Sequence, residues 1–226
     1  MIYTYAFLKT PEQPLELPEG ISGPVALVCA GLLSALVEPN LVWDALQETD
    51  DRLLQAVLAH DRVLCVLFQQ MPLLPLRFGT RFTSLEDLKS HLESYLDLYL
   101  KKLMEVANRA EYTLKLIPPQ PVEEPTISAA AQGRAYFLAK KQRIQSQAER
   151  QQRQMVELEE VLEAIVAAFP KSKISEVQSE QKTQQVYLLL TQEEYAQIEA
   201  FLQTWQELAS QWQLVLGEPL PPYHFV

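Results

Sequence analysis

The chain of 226 residues carries 19 Lys and Arg against 29 Asp and Glu, a net charge of −10, with 48% hydrophobic residues. That length suits two domains of roughly 100 residues each, and the acidic balance repels phosphate backbones, so nucleic acid is not an expected partner outside a local basic patch. No charged leader with an apolar core opens the chain, and the longest apolar run, residues 24–37, is broken by Gly31 and Ser34 and falls short of the ~18 residues of a span; a soluble, cytoplasmic protein without membrane contact is expected.

Residues 2–8 alternate and are rich in aromatics, the pattern of a strand. A segment with four prolines and two glycines follows, residues 11–24. Residues 25–30 are apolar on both parities and predict a buried strand, with a second at 33–37. Asn40 is placed to cap a short helix over 41–46, and Asp50 another over 51–60. The continuous apolar run 63–68 predicts a central strand. Cys29 and Cys65 lie inside apolar segments, away from any metal-ligand spacing, and are expected to be buried reduced thiols.

The stretch 73–85 is the organising centre of this first half. Leu74, Leu76, Phe78 and Phe82 share one parity of a predicted strand over 74–82, and Arg77, Gly79 and Arg81 the other. Gly79 inside a strand implies a bulge or a close approach of another backbone. Ser84 and Asp87 form a capping-box-like start to one long helix over 85–106, expected to pack on the face bearing Leu76 and Phe78. A strand at 112–117 ends the domain. Residues 118–125 hold four prolines, which deny helix and sheet interior, so a linker is placed at 118–127 between a first domain, 1–117, and a second, 128–226.

Residues 128–169 contain no proline and predict one helix of about 40 residues, roughly 60 Å long. Its first half is basic (Arg134, Lys140, Lys141, Arg143, Arg150, Arg153) and its second half, 157–163, acidic. This order opposes the helix macrodipole. A solvated face, a protein contact and, last, nucleic acid are the open readings of the basic half. Strands at 173–177 and 185–190, joined by a polar turn at 178–184, then a helix from Thr191 and a strand at 213–216, follow. With the strand at 112–117 borrowed, the order is β-α-β-β-α-β, that of a ferredoxin-like unit. The fold class is therefore α+β: an N-terminal mixed α/β-sheet domain and a C-terminal ferredoxin-like domain with a long helix and a proline-broken tail.

Catalytic and nucleotide motifs such as G-x-G-x-x-G, H-E-x-x-H, C-x-x-C and G-x-S-x-G do not occur. The histidines, His60, His91 and His224, have no paired spacing, so no metal, cofactor or enzymatic centre is expected; His60 suits a satisfied, partly buried position. Arg77 and Arg81 either face solvent or pair with acids such as Asp61 or Glu111, or they anchor a partner's carboxylate or backbone.

Leu74-Pro75-Leu76-Arg77-Phe78-Gly79-Thr80, preceded by His60-Asp61-Arg62-Val63-Leu64, resembles the signature of the gas vesicle accessory proteins GvpF and GvpL. Residues 2–6 resemble that family's opening strand, and 133–138 its Gly-x-x-Tyr-Leu entry into the long helix. Pro221, Pro222, Tyr223 and Phe225 match its Gly-Pro-Trp-Pro-Pro-Tyr-x-Phe ending, although Glu218-Pro219-Leu220 stands where Pro-Trp is more usual. The opening and the length look most like a cyanobacterial-type GvpF. The resemblance implies a two-domain α+β protein, a minor structural or assembly component of gas vesicles. Its partner would be the small, very hydrophobic shell protein GvpA, with other accessory proteins besides. Candidate partner-binding residues are Arg77, Arg81, Arg134, Lys140, Lys141 and Arg143, with Pro221, Pro222, Tyr223 and Phe225 in the tail. From another class, a small-molecule-sensing module built on the ferredoxin-like domain is the alternative.

Overall fold

The computed structural model describes residues 1–119, 134–175 and 183–226. Much of the predicted linker, the Gly133 entry to the long helix and most of the 178–184 turn lie outside the described residues. The chain divides into two compact units: Met1–Tyr112 with Leu189–Gln192 and Glu218–Val226, and Thr113–Leu188 with Glu193–Gly217. The tail thus falls in the first unit, although in sequence it follows the second.

The first unit is built on strand β1 (Ile2–Lys9), which pairs antiparallel with β3 (Leu33–Glu38); β3 pairs in turn with β2 (Ala26–Ala30). On its other side β1 pairs with β4 (Leu73–Pro75) and, further along, with β5 (Arg81–Phe82). The register of β1 against β3 shifts between Thr4 and Ala6. This irregularity breaks strict alternation, so that Tyr3, Tyr5, Ala6 and Leu8 all enter one core cluster while Phe7 enters the other.

Helix α2 (Asp50–Phe68) follows the short α1 (Trp43–Leu46) and closes the first of these clusters. Thr49 caps it by accepting the Arg52 N–H, and Asp50 and Asp51 in its first turn complement the positive end of the dipole. Its buried residues, Ala56, His60, Val63, Leu64 and Leu67, recur at helical spacing through the run 63–68. The strand expected there is therefore corrected to helix: an unbroken apolar run satisfies both periods, and the capped start at Thr49 propagates through it.

Three further expectations are corrected. Helices α3 (Leu85–Ser94) and α4 (Leu96–Val106) replace one long helix, with Tyr95 between them at φ −112°, ψ 20°. Across that break His91 Nε2 lies 2.8 Å from the Tyr99 hydroxyl. The strand over 74–82 is two short strands separated by a turn, and Phe78 packs with Tyr3 and His60 in the α2 cluster, leaving Leu76 alone on the α3 and α4 side. Strand β2 is a half-exposed edge, so Cys29 is exposed, and Cys65 on α2 is only partly covered, against the expectation of two buried thiols.

The second unit contains most of β6 (Arg109–Ile117), then α5 (Arg134–Ala168), β7 (Lys173–Ile174), most of β8 (Gln184–Thr191) and of α6 (Gln192–Leu208), and β9 (Gln213–Leu216). The sheet order β7-β8-β6-β9 with this β-α-β-β-α-β sequence is ferredoxin-like. Leu114, Leu116, Val186 and Leu188 supply the buried sheet residues; Val161 and Ile165 of α5 and Ile198 and Trp205 of α6 are buried as well. Glu157 pins α5 to the loop before β9 by accepting from the Gln211 backbone N–H at 3.1 Å and its side-chain amide at 2.9 Å.

Candidate functional site

The element around which exposed functional groups collect is the excursion between β4 and β5. Leu76 N–H donates to the Tyr5 carbonyl at 2.8 Å, then the chain leaves β1, turns through Arg77 to Thr80 and rejoins β1 where Thr4 N–H donates to the Thr80 carbonyl at 3.0 Å. The turn is closed by Thr80, whose N–H (3.1 Å) and Oγ1 (2.7 Å) both donate to the Arg77 carbonyl. Gly79 sits at φ +90°, and a Cβ there would come within 3.1 Å of the Trp43 ring. The close approach expected at this glycine is thus to an indole.

Beneath the turn lies a polar relay. Gly79 N–H donates to the Tyr3 hydroxyl at 3.4 Å, and His60 is within hydrogen-bond reach of both the Tyr3 hydroxyl (Nδ1, 2.8 Å) and the Leu76 carbonyl (Nε2, 3.1 Å). A carbonyl only accepts, so Nε2 carries the proton and Nδ1 accepts from Tyr3. Burial lowers the pKa of His60 and raises that of Tyr3, which keeps both neutral. His60 is therefore the satisfied residue its sequence context implied, with both ring nitrogens committed.

Above the turn, Arg77 and Arg81 are exposed. The Arg81 guanidinium carbon lies 4.6 Å from the Trp43 ring centroid, a cation–π contact that holds the side chain against the indole. Neither arginine takes the acids named as alternatives. Asp61 accepts from the Tyr223 hydroxyl, and Glu111, 1% exposed, accepts from His224 N–H at 2.8 Å and from Nδ1 at 2.6 Å.

The tail residues are used inside the first unit. Leu220 and Glu111 exchange backbone hydrogen bonds at 2.9 Å, Pro221 and Pro222 are buried, and Tyr223 packs beside the α2 cluster. Burial, then the Asp61 carboxylate, pushes the Tyr223 phenol upward, so it stays a donor. Phe225 is half-exposed.

Lys140, Lys141 and Arg143 lie on α5, in the other unit, and are exposed. Phe137 (72% exposed) and Ile144 accompany the lysines along one helical face. Arg134 opens the helix, and its side chain is outside what is described. The basic candidates therefore belong to two separate bodies of the chain.

Two features escaped the sequence reading. Glu38, 2% exposed, accepts from Tyr5 Oη, from Ile21 N–H (2.7 Å) and from both the N–H (2.9 Å) and hydroxyl (3.0 Å) of Ser22, fastening the 19–24 loop to the sheet. Only the single acid ending an apolar strand signalled it. Between that loop and α2 runs a groove of about 730 Å³ whose lining includes Ile21, Arg52, Gln55 and Arg62, but neither His60 nor Arg77. Arg62 is held there by the carbonyls of Glu19 (3.1 Å) and Gly20 (3.3 Å). Among the described residues, no three His, Cys, Asp or Glu side chains converge as metal ligands, and no helix is long and apolar enough to cross a membrane.

The fold has close counterparts among solved structures. The gas vesicle protein GvpF from Microcystis aeruginosa superposes with a TM-score of 0.66 at 15% identity, covering 99% of this chain and 98% of that one. GvpF from Anabaena sp. PCC7120 gives 0.65 at 15% identity, covering 99% and 94%. Comparison with curated proteins finds no match. Residues 1–226, the whole chain, match the family described as gas vesicle synthesis protein GvpL/GvpF. With the L-P-x-R-F-G turn joining β4 and β5 on one side of β1 and an α+β architecture shared with two cyanobacterial GvpF structures, this chain belongs to the GvpL/GvpF family and has a gas vesicle-related role.

Proposed function

We propose that this protein is a minor structural or assembly component of gas vesicles that binds the hydrophobic shell protein GvpA and supports formation of the buoyant vesicle, without carrying out chemistry of its own. The observation that supports this most is the turn displaying Arg77 and Arg81. Its backbone is held by β1 on both sides, its underside by the Tyr3 and His60 relay, and the Arg81 side chain is held by Trp43. An arginine held in place, as Arg81 is on Trp43, loses little freedom when it meets a carboxylate or a row of carbonyls, which is how such residues come to dominate binding energy. The exposed basic face of α5, with Lys140, Lys141 and Arg143, is a second contact in this reading, placed at the vesicle in the cytoplasm. Family membership supports other gas vesicle proteins as partners; the residues named are our assignment.

The test is co-purification of GvpA with the wild-type chain and with the Arg77→Ala/Arg81→Ala double variant. A loss of about tenfold in capture, equivalent to ~1.4 kcal/mol, with an unchanged melting temperature is expected. Equal capture by both proteins removes the turn from the interface, and no capture by either overturns the reading of GvpA as partner. A ligand-sensing role for the ferredoxin-like unit is the weaker reading, because the 730 Å³ groove lies in the first unit and the hollow of about 490 Å³ in the second is lined by side chains of α5 alone.

A further inference from the structure

Strand β2 ends the first sheet, and its outer side is open. The hairpin it forms with β3 is closed by Gly31 (φ +62°) and Leu32, with Ala30 opposite Leu33. In a two-residue hairpin the closing pair is hydrogen-bonded, and bonded pairs then alternate. Ala26, Val28 and Ala30 therefore spend their N–H and C=O groups on β3, whereas Leu27 and Cys29 aim theirs outward. Among the described residues nothing takes up those groups. Their spacing is that of a β-ladder, so another extended backbone is what fits them.

The other edges of the two sheets are blunted. Strand β4 has three residues and ends in Pro75, β5 has two and includes Arg81, β7 has two and includes Lys173, and β9 has four. Strand β2 has five residues, Ala-Leu-Val-Cys-Ala, with no charge and no proline. Charges, prolines and short length are the devices by which monomeric proteins prevent edge pairing. Strand β9, Gln-Leu-Val-Leu, also lacks charge and proline but has one residue fewer, so among the described strands β2 is the longest edge without these devices.

We propose that two copies of this chain pair antiparallel through their β2 edges, joining the two first-unit sheets into one continuous sheet across a two-fold axis. Centred on Val28, the pairing sets Leu27 of one copy opposite Cys29 of the other and exchanges about four backbone hydrogen bonds. A second copy is the occupant because its own β2 is a strand of the chemistry the edge accepts: uncharged, apolar and extended. A chain of net charge −10 meets no like charge along this line. The contact is independent of the shell-binding reading and involves none of its residues.

The experiment is sedimentation velocity under reducing conditions on the wild type, Cys29→Ser, Cys29→Lys and Cys29→Pro. Cys29 is exposed, and its N–H is not used inside the chain, so proline and lysine at this position act on the edge while leaving the β2 to β3 ladder intact. Wild type and Cys29→Ser are expected to dimerise with a Kd of about 1–100 µM, as suits a small interface. Cys29→Lys and Cys29→Pro are expected to weaken dimerisation at least tenfold while keeping the wild-type circular dichroism. Hydrogen exchange supplies a readout that needs no variant: the amides of Leu27 and Cys29 become protected as wild-type concentration rises. A wild type that stays monomeric at about 200 µM, above that Kd range, overturns the proposal. So does a dimer that survives both Lys and Pro, one that Ser alone abolishes, or a dimer in which those two amides exchange freely.

Discussion

Gly79 lies against the indole of Trp43 so closely that a Cβ at position 79 would sit 3.1 Å from Trp43 Cη2, at a backbone φ of +90°. Both the ring and the dihedral exclude a side chain there. Gly79→Ala is expected to cost about 1–3 kcal/mol, read as a lower urea midpoint at unchanged slope. Because Arg81 rests on the same indole, the variant should also lose capture of any partner held by the two arginines.

His60 joins the Tyr3 hydroxyl to the Leu76 carbonyl in a buried setting. In His60→Phe the Leu76 carbonyl loses its donor and the Tyr3 hydroxyl its acceptor while keeping the Gly79 N–H, a cost of about 1–3 kcal/mol for a buried group left unpaired. The pH dependence has a definite sign. Burial lowers the folded-state pKa below the ordinary histidine value of about 6.5. The folded state therefore binds fewer protons, and the His60 contribution is complete above pH ~6.5 and is lost as pH falls from there through the folded-state value. Urea unfolding from pH 8 to pH 5 should show this decline in the wild type and a shallower one in His60→Phe.

Glu38 accepts from both backbone and side chain of the 19–24 loop while buried in the sheet. Glu38→Gln turns one accepting oxygen into a donating amide that faces donors. A loss of about 2–3 kcal/mol is expected, together with faster hydrogen exchange at the Ile21 and Ser22 amides. Gly20 belongs to the same clasp, since a Cβ there would fall 2.3 Å from Glu38 Oε2.

Tyr223 ties the tail to α2 through Asp61. Tyr223→Phe keeps the ring and deletes the bond, at a cost of about 0.5–1.5 kcal/mol because the site is partly open to water. Limited proteolysis should then cut within residues 218–226 faster than in the wild type. An unchanged cleavage rate would show that the buried prolines and the Glu111 ladder hold the tail without it.

Local signals were legible wherever period, cap and turn chemistry agreed. The capping residue Ser84, the strand at residues 2–8 and the whole β-α-β-β-α-β order of the second unit followed from residue pattern alone. Failures came where one pattern served two structures. The run 63–68 is apolar at every position, so it fits a buried strand and the last turns of a helix equally, and only the packing of α2 on Tyr3, Tyr5 and Leu36 distinguishes them. Cys29 reads as buried because its neighbours are apolar, yet it lies on an edge strand, and edge or centre is a property of the pairing.

The candidate site divides in the same way. The order of residues itself determined that Arg77, Gly79 and Arg81 would lie close together, though on one face of a strand rather than at a turn, that α5 would be basic in its first half, and that no known catalytic spacing was present, because each is a matter of neighbours along the chain. Tertiary structure alone decided that the indole under Gly79 is Trp43, that Glu38 clasps a loop 16 or 17 residues earlier, and that the tail's prolines and tyrosine are spent on the first unit. Those partners lie far apart in sequence, and their meeting depends on how the sheet and helices pack, which no local period encodes.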